Sequence, residues 1–208
     1  MDPRMVYPAM LDIANRPCLV VGGGKVAERK IRSLLDAHAS VTVVSPQITD
    51  VIRSWRDKGQ LSLFLRNYQQ GDADGAVLVF AATDHADINR QVAEDCRGTW
   101  VNVADSPELS TFTVPSSFQK GLLRVAVSTS GASPAYAAAL CRQLEEQVGE
   151  DIERYLDMLE TYRNLVKQTI TDAHRRSTLL RDIVKLEPQQ LLLDGLQPYL
   201  EALKEEAE

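Results

Sequence analysis

The chain has 208 residues, 44% of them hydrophobic and 25% charged, with a formal net charge of −6. That is enough apolar material for the core of one domain or one and a half, and the acidic balance argues against nucleic acid or an anionic membrane as a partner of the whole surface. Three scattered cysteines, Cys18, Cys96 and Cys141, argue against a disulfide framework or a cysteine-rich zinc site, and no stretch reaches the roughly 18 apolar residues of a membrane span, so a cytoplasmic protein is expected.

The first half alternates strand-like and helix-like patterns. Residues 18–21 (CLVV) read as a buried strand, and Ala27, Ile31, Leu34 and Leu35 then fall on one helical face. Residues 41–44 (VTVV) are β-branched. Ile48, Val51, Ile52 and Trp55 return to helical spacing. Further strands are expected at 61–65, at 76–81 (AVLVFA) and at 100–103 (WVNV), with a helix marked by Ile88, Val92 and Cys96 before the last. The 76–81 run is apolar throughout, as a central parallel strand covered on both faces should be. The alternation predicts an α/β, Rossmann-like parallel sheet with helices on both faces.

The rhythm changes after Asp105. Residues 111–115 and 122–128 are extended, β-rich runs separated by SSFQKG, too short for a helical crossover, so antiparallel pairing of these runs is expected. Ser133 is a natural N-cap with Pro134 at the first helical position. From Asp151 onward the pattern is helical. Tyr155, Met158, Leu159, Tyr162, Leu165, Val166 and Ile170 form an apolar stripe, and Pro188 and DGLQP divide the tail into shorter helices.

Between the first strand and helix lies VVGGGKVA, a G-x-G-x-x-A pattern at Gly22, Gly24 and Ala27. Gly22 permits the tight turn, Gly24 lets backbone approach a pyrophosphate, and Ala27 lets the helix pack on the strand. Gly23 adds flexibility that the motif does not require. The helix N-terminus offers free N–H groups to phosphates. A glycine-rich turn that binds nothing remains the alternative. An acidic residue should end the second strand to hold the adenine ribose, yet Ser45, Pro46 and Gln47 stand there, which leaves NAD versus NADP open.

Ligands of open α/β sheets bind beyond the carboxyl ends of the strands. After the fourth strand comes AATDH and after the fifth NVADSPELSTF, so Thr83 and Asn102 are candidate cofactor contacts. With strand order 3-2-1-4-5 these ends border the nicotinamide side. Asp105 is the best-placed ionisable group, with a turn-forming Asp before Ser106-Pro107 as the alternative. Thr83-Asp84 has the alternative of a helix cap. His38 and His174 fall on expected helices away from these ends. No His, Cys or carboxylate cluster has metal-ligand spacing, so no metal site is expected.

Four stretches, VVGGGKVAERK, FAATDHADIN, VNVADSPELSTFTVPS and RVAVSTSGASPAYAAAL, together resemble the precorrin-2 dehydrogenase family of sirohaem biosynthesis over roughly residues 5–150. The resemblance implies NAD-dependent oxidation of precorrin-2 to sirohydrochlorin, in which the macrocycle loses a hydride and a proton. It implies Asp105 as general base, and Lys25, Val26, Ser45 and Pro46 as NAD contacts. Ser128 matches a pocket serine that is phosphorylated in some members, although a shift of register would transfer that role to Ser130. The family implies an intertwined homodimer in which segment 113–128 exchanges between chains, with an intrachain hairpin as the alternative. The expected division is an NAD-binding domain at 1–112, a dimerisation region at 113–149 and a helical region at 150–208. Lys120, Arg124 and Arg142 are candidate partners for the many carboxylates of precorrin-2, needed because the protein is itself acidic. Two other readings stand beside this one: a bifunctional enzyme that also inserts ferrous iron, and a non-catalytic NAD-sensing module.

Overall fold

The computed structural model describes residues 6–186 and 188–205, with backbone only for Lys204 and Glu205. Tyr7–Val114 form one compact unit and the chain from Pro115 onward another.

The first unit runs β1 (Pro17–Val21), α1 (Lys25–Asp36), β2 (Ser40–Val44), α2 (Asp50–Asp57), β3 (Ser62–Phe64), β4 (Leu78–Ala81), α3 (Ala86–Asp95) and β5 (Trp100–Val103). The five strands pair in parallel in the order β3-β2-β1-β4-β5, the order expected from the sequence. Period-two alternation sends successive side chains to opposite faces. Cys18 and Val20 of β1 join Ala27, Ile31 and Leu34 of α1 and Ile52 of α2 in one core layer. Leu19 and Val21 join Val79, Val101 and Val103 with Val92 of α3 in the other. Both faces of β1 are therefore dry, which explains its unbroken apolar run.

The connection from β3 to β4 carries no helix. Arg66 and Asp72 close its turn with two parallel hydrogen bonds of 2.7 Å each. Tyr68, buried in the second core layer, helps cover the sheet there, and its hydroxyl donates to Asp95 Oδ2 at 3.1 Å. Burial, followed by that carboxylate, pushes the Tyr68 phenol well above its ordinary pKa. Cys18, Cys96 and Cys141 are free and buried, and burial pushes the Cys96 thiol up to about 11.

Register positions the site. Val21 pairs with Val44 on one side and with Ala81 on the other, and Ala81 pairs with Val103. The carboxyl ends of β1, β2, β4 and β5 are therefore level. The ladder continues one step further through Gly22 N–H to Val44 O, Ala82 N–H to Val21 O and Ala104 N–H to Ala81 O, at 2.8–3.0 Å.

In the second unit the antiparallel pair differs from the expectation. The separating SSFQK is itself β6 (Ser116–Lys120), paired with β7 (Leu123–Val127), while 111–115 is not a strand. The turn is Gly121-Leu122, with Gly121 at φ +53°. Phe118 explains the difference: it gives β6 a buried apolar side chain, which the polar look of SSFQKG concealed. Within this chain the pair is a hairpin. Helix α4 (Pro134–Gln147) packs on it. It starts as expected, with Ser133 Oγ accepting from Tyr136 N–H and Pro134 at the first turn. Helices α5 (Ile152–Thr169), α6 (Ala173–Asp182), α7 (Pro188–Asp194) and α8 (Gln197–Glu205) enclose a separate core of Tyr155, Tyr162, Val166, Ile170, Ile183, Leu191 and Leu203. Among the described residues no helix is long and apolar enough to cross a membrane.

Candidate active site

A cleft of about 820 Å³ opens along the level strand ends of the first unit. Gly22, Gly24, Lys25, Val26, Ser45, Pro46, Thr83 and Asp105, all singled out from the sequence, line it together. Asn102 is not among its lining residues: it lies one residue inside the end of β5, and its side-chain amide donates to Phe112 O at 3.1 Å.

The three glycines have three different steric reasons. Gly22 has φ +122°, and a Cβ there would strike the Ala82 carbonyl at the end of β4. A Cβ on Gly23 would strike the Gln47 carbonyl and come within 2.9 Å of Ile48 and Ser45 Oγ. Gly23 is therefore sterically required, which corrects the reading of it as added flexibility. A Cβ on Gly24 would meet nothing within 4 Å. It borders the open cleft, where only a ligand would need the space. Gly24 is also the N-cap of α1 and supplies no side-chain acceptor, so the first-turn amides face outward uncapped by a side chain. These features fit a dinucleotide pyrophosphate.

Electrostatics around this turn are set by Glu28, a residue the sequence reading passed over. Its side chain is 10% exposed. Oε2 accepts from Lys25 Nζ at 3.1 Å and from Thr49 Oγ1 at 3.0 Å, and Oε1 lies 3.8 Å from Arg32. The Lys25 ammonium, more than the other partners, holds this carboxyl below its usual range. Thr49 also accepts from Ile52 N–H as the N-cap of α2. Glu28 thus ties the first turn of α1 to the β2–α2 loop, linking both walls of the cleft's glycine end. A charged residue three positions before buried Ile31, on the inward stripe, was the signal available in the sequence.

Ser45 stands where an acid was expected. It is 6% exposed, and its hydroxyl donates to Gln47 O at 2.6 Å. The proton that could have served a ribose is spent on the loop, leaving Ser45 only as an acceptor.

At the other end Asp105 is exposed, and its Oδ1 accepts from Asn89 Nδ2 at 3.3 Å. Thr83 does not cap α3. His85 is the N-cap, and the Thr83 hydroxyl lies 2.8 Å from Asn89 Oδ1. His38 lies past the end of α1 in a left-handed turn (φ +57°) rather than on the helix, whereas His174 is within α6. Among the described residues no group of three His, Cys, Asp or Glu could hold a metal ion.

The remaining candidates belong to the second unit. Arg124 on β7 and Arg142 on α4 are exposed. Ser128, also exposed, accepts from Ser130 N–H at 3.2 Å. Lys120 is different: its ammonium donates to Glu145 O at 3.0 Å and Val148 O at 2.7 Å, so two of its three donors satisfy carbonyls at the end of α4. Its positive charge and third donor are not taken up by these two neutral carbonyls.

A family model described as "Putative NAD(P)-binding" matches residues 9–116. The solved structure of SirC, a precorrin-2 dehydrogenase, superposes with a TM-score of 0.82 at 30% identity, covering 96% of this chain and 100% of that one. The chain belongs to the precorrin-2 dehydrogenase family. Siroheme synthases are relatives as well. Those of Thioalkalivibrio sulfidiphilus and Methylobacillus flagellatus are 38% identical over 191 and 190 residues, covering 91% and 90% of this chain. That of Pseudomonas aeruginosa PAO1 is 35% identical over 201 residues. The chain spans 39%, 41% and 43% of those three proteins. The region that the NAD(P)-binding family model matches contains every residue lining the cleft.

Proposed function

We propose that the chain is an NAD-dependent dehydrogenase that oxidises precorrin-2 to sirohydrochlorin. The observation that carries this reading is the presence of an exposed carboxylate, Asp105, in the same cleft as the glycine turn. When bound, the nicotinamide cofactor supplies the hydride-accepting chemistry that side chains lack. Gly24 and the first-turn amides of α1 hold the pyrophosphate. Lys25 and Val26 flank it, and Ser45 and Pro46 border the adenosine end. The macrocycle loses two hydrogens, one as hydride and one as a proton. Asp105 takes the proton. Its exposure keeps it within reach of a large substrate, and Asn89 and the level strand ends hold it opposite the cofactor turn.

The same reading extends to the second unit. Arg124 and Arg142 are exposed cations whose charge suits a carboxylate-rich substrate, and Ser128 is exposed on the same unit. The region around the β6–β7 hairpin forms a homodimer, and the enzyme acts in the cytoplasm.

The test is anaerobic incubation of the full chain with precorrin-2 and NAD, followed by absorbance for sirohydrochlorin and NADH. Equimolar appearance of the two is the expected result. No NAD-dependent sirohydrochlorin would overturn the reading, and unchanged turnover by Asp105→Asn would remove Asp105 from it.

A further inference from the structure

Asn89 is 1% exposed on α3, among the most enclosed polar side chains of the chain. A buried amide is costly unless its hydrogen-bonding capacity is used. Here all of it is. Oδ1 accepts from Thr83 N–H at 3.2 Å and from Thr83 Oγ1 at 2.8 Å. Nδ2 donates to Thr83 O at 3.1 Å and to Asp105 Oδ1 at 3.3 Å. Three of the four bonds grip the residue just past the end of β4, and the fourth reaches the acid just past the end of β5. Thr83 N–H can only donate and Thr83 O can only accept, so a flipped amide would set Nδ2 against the N–H and Oδ1 against the carbonyl; the Nδ2 face must therefore point to Asp105.

We propose that Asn89 is a positioning residue: it fixes the Asp105 carboxylate against the end of β4, so that one oxygen is anchored and the other is left for substrate. This rests on the reading of Asp105 as the base. The buried amide is well suited to the task. It cannot take up or release a proton, so it holds the carboxylate without competing for the proton in transit. It comes from a helix packed into the core rather than from the exposed Ala104-Asp105 turn, and core elements hold a catalytic group more closely than turns do. Without it, Asp105 is an exposed side chain on a loop with its rotamers free, and orientation alone accounts for large factors in rate.

The test is a double-mutant cycle in the full chain with Asn89→Ala and Asp105→Asn, measuring kcat for precorrin-2 oxidation and the Kd of NAD by fluorescence. The expected result is a kcat at least about tenfold lower for Asn89→Ala, the scale of one hydrogen bond to a charged group. The Kd of NAD should rise less than about threefold. In the Asp105→Asn background the same substitution should change kcat less than about twofold, because the group it positions is gone. An equal loss in both backgrounds, or an effect confined to the Kd of NAD, would overturn the proposal. Full activity of Asp105→Asn alone would instead overturn the assignment of the base, so the two failures are distinguishable. If Asn89→Ala does not fold, Asn89→Ser keeps a hydroxyl on α3 to bond Thr83 but is too short to reach Asp105 as well, and adds no charge beside it. It should then show the same dependence on Asp105, and an equal loss in both backgrounds would again overturn the proposal.

Discussion

Thr49 Oγ1 stands 3.0 Å from Glu28 Oε2, joining the cap of α2 to the first turn of α1. The contact spans 21 residues of sequence; Thr49 lines the cleft and Glu28 does not, so a carboxylate outside the lining ties two of its walls together.

Its dependence on pH follows from the direction of the Glu28 shift. The folded state holds this carboxyl below its usual value, mainly through Lys25. The stability it contributes is therefore complete above the unfolded value, about 4.3 for Glu, and is lost as pH falls through the lower folded value. Glu28→Gln should lower Tm at pH 7, and the gap from the parent should close on acidification below that range. A gap that stays constant from pH 7 to pH 3, read by circular dichroism, would refute the linkage.

The glycines make opposite predictions. Gly23→Ala puts a Cβ into the Gln47 carbonyl, and should cost about 1–3 kcal/mol of stability, the usual scale of overpacking. Gly24→Ala should leave Tm within a degree or two, because its Cβ enters open space at a φ of −85° that alanine adopts freely. Its effect should appear in the Kd of NAD, raised at least about tenfold (about 1.4 kcal/mol). Thermal melts and NAD titration of both variants separate the two roles.

Lys120→Met should keep the stem and lose the ammonium bonds to Glu145 and Val148. The expected cost is about 1–2 kcal/mol, for hydrogen bonds from a charged donor that is partly solvated. The KM for precorrin-2 should stay within about threefold of the parent. A large rise in KM at unchanged Tm would instead place Lys120 in the substrate pocket.

The turn between β3 and β4 depends on Arg66 and Asp72. Asp72 is held below the usual carboxylate range, first by Arg66. Asp72→Asn should release this turn, and the first sign should be faster amide exchange at 66–72, including Tyr68, before any change in α1. Uniform exchange across the unit would show that the pair supports nothing local.

Much of the fold was legible because strands buried on both faces write themselves as apolar runs: LVFA in β4 and CLVV in β1 need no tertiary information. The strand ends followed, and with them Gly22, Gly24, Ser45, Thr83 and Asp105. Less legible was anything whose meaning depends on a partner distant in sequence. Glu28 and Asn89 went unread, and Gly23 read as added flexibility. Each has a partner far along the chain: Thr49 for Glu28 beside nearby Lys25, Asp105 for Asn89 beside nearby Thr83, and the Gln47 carbonyl for Gly23. The β6 strand was missed for a related reason, since a single Phe118 among polar residues gives no periodicity to read.

The level strand ends also act as a ruler. Strands lie about 4.8 Å apart, so the step from the end of β2, before Ser45, to the end of β5, before Asp105, crosses three spacings, roughly 14 Å, set by backbone pairing. Loop substitutions can change what stands at each mark without moving the marks. The separation between the two ends of the cleft is inherited from the sheet, so the span a ligand has to cover is written in backbone pairing and its recognition in the loops.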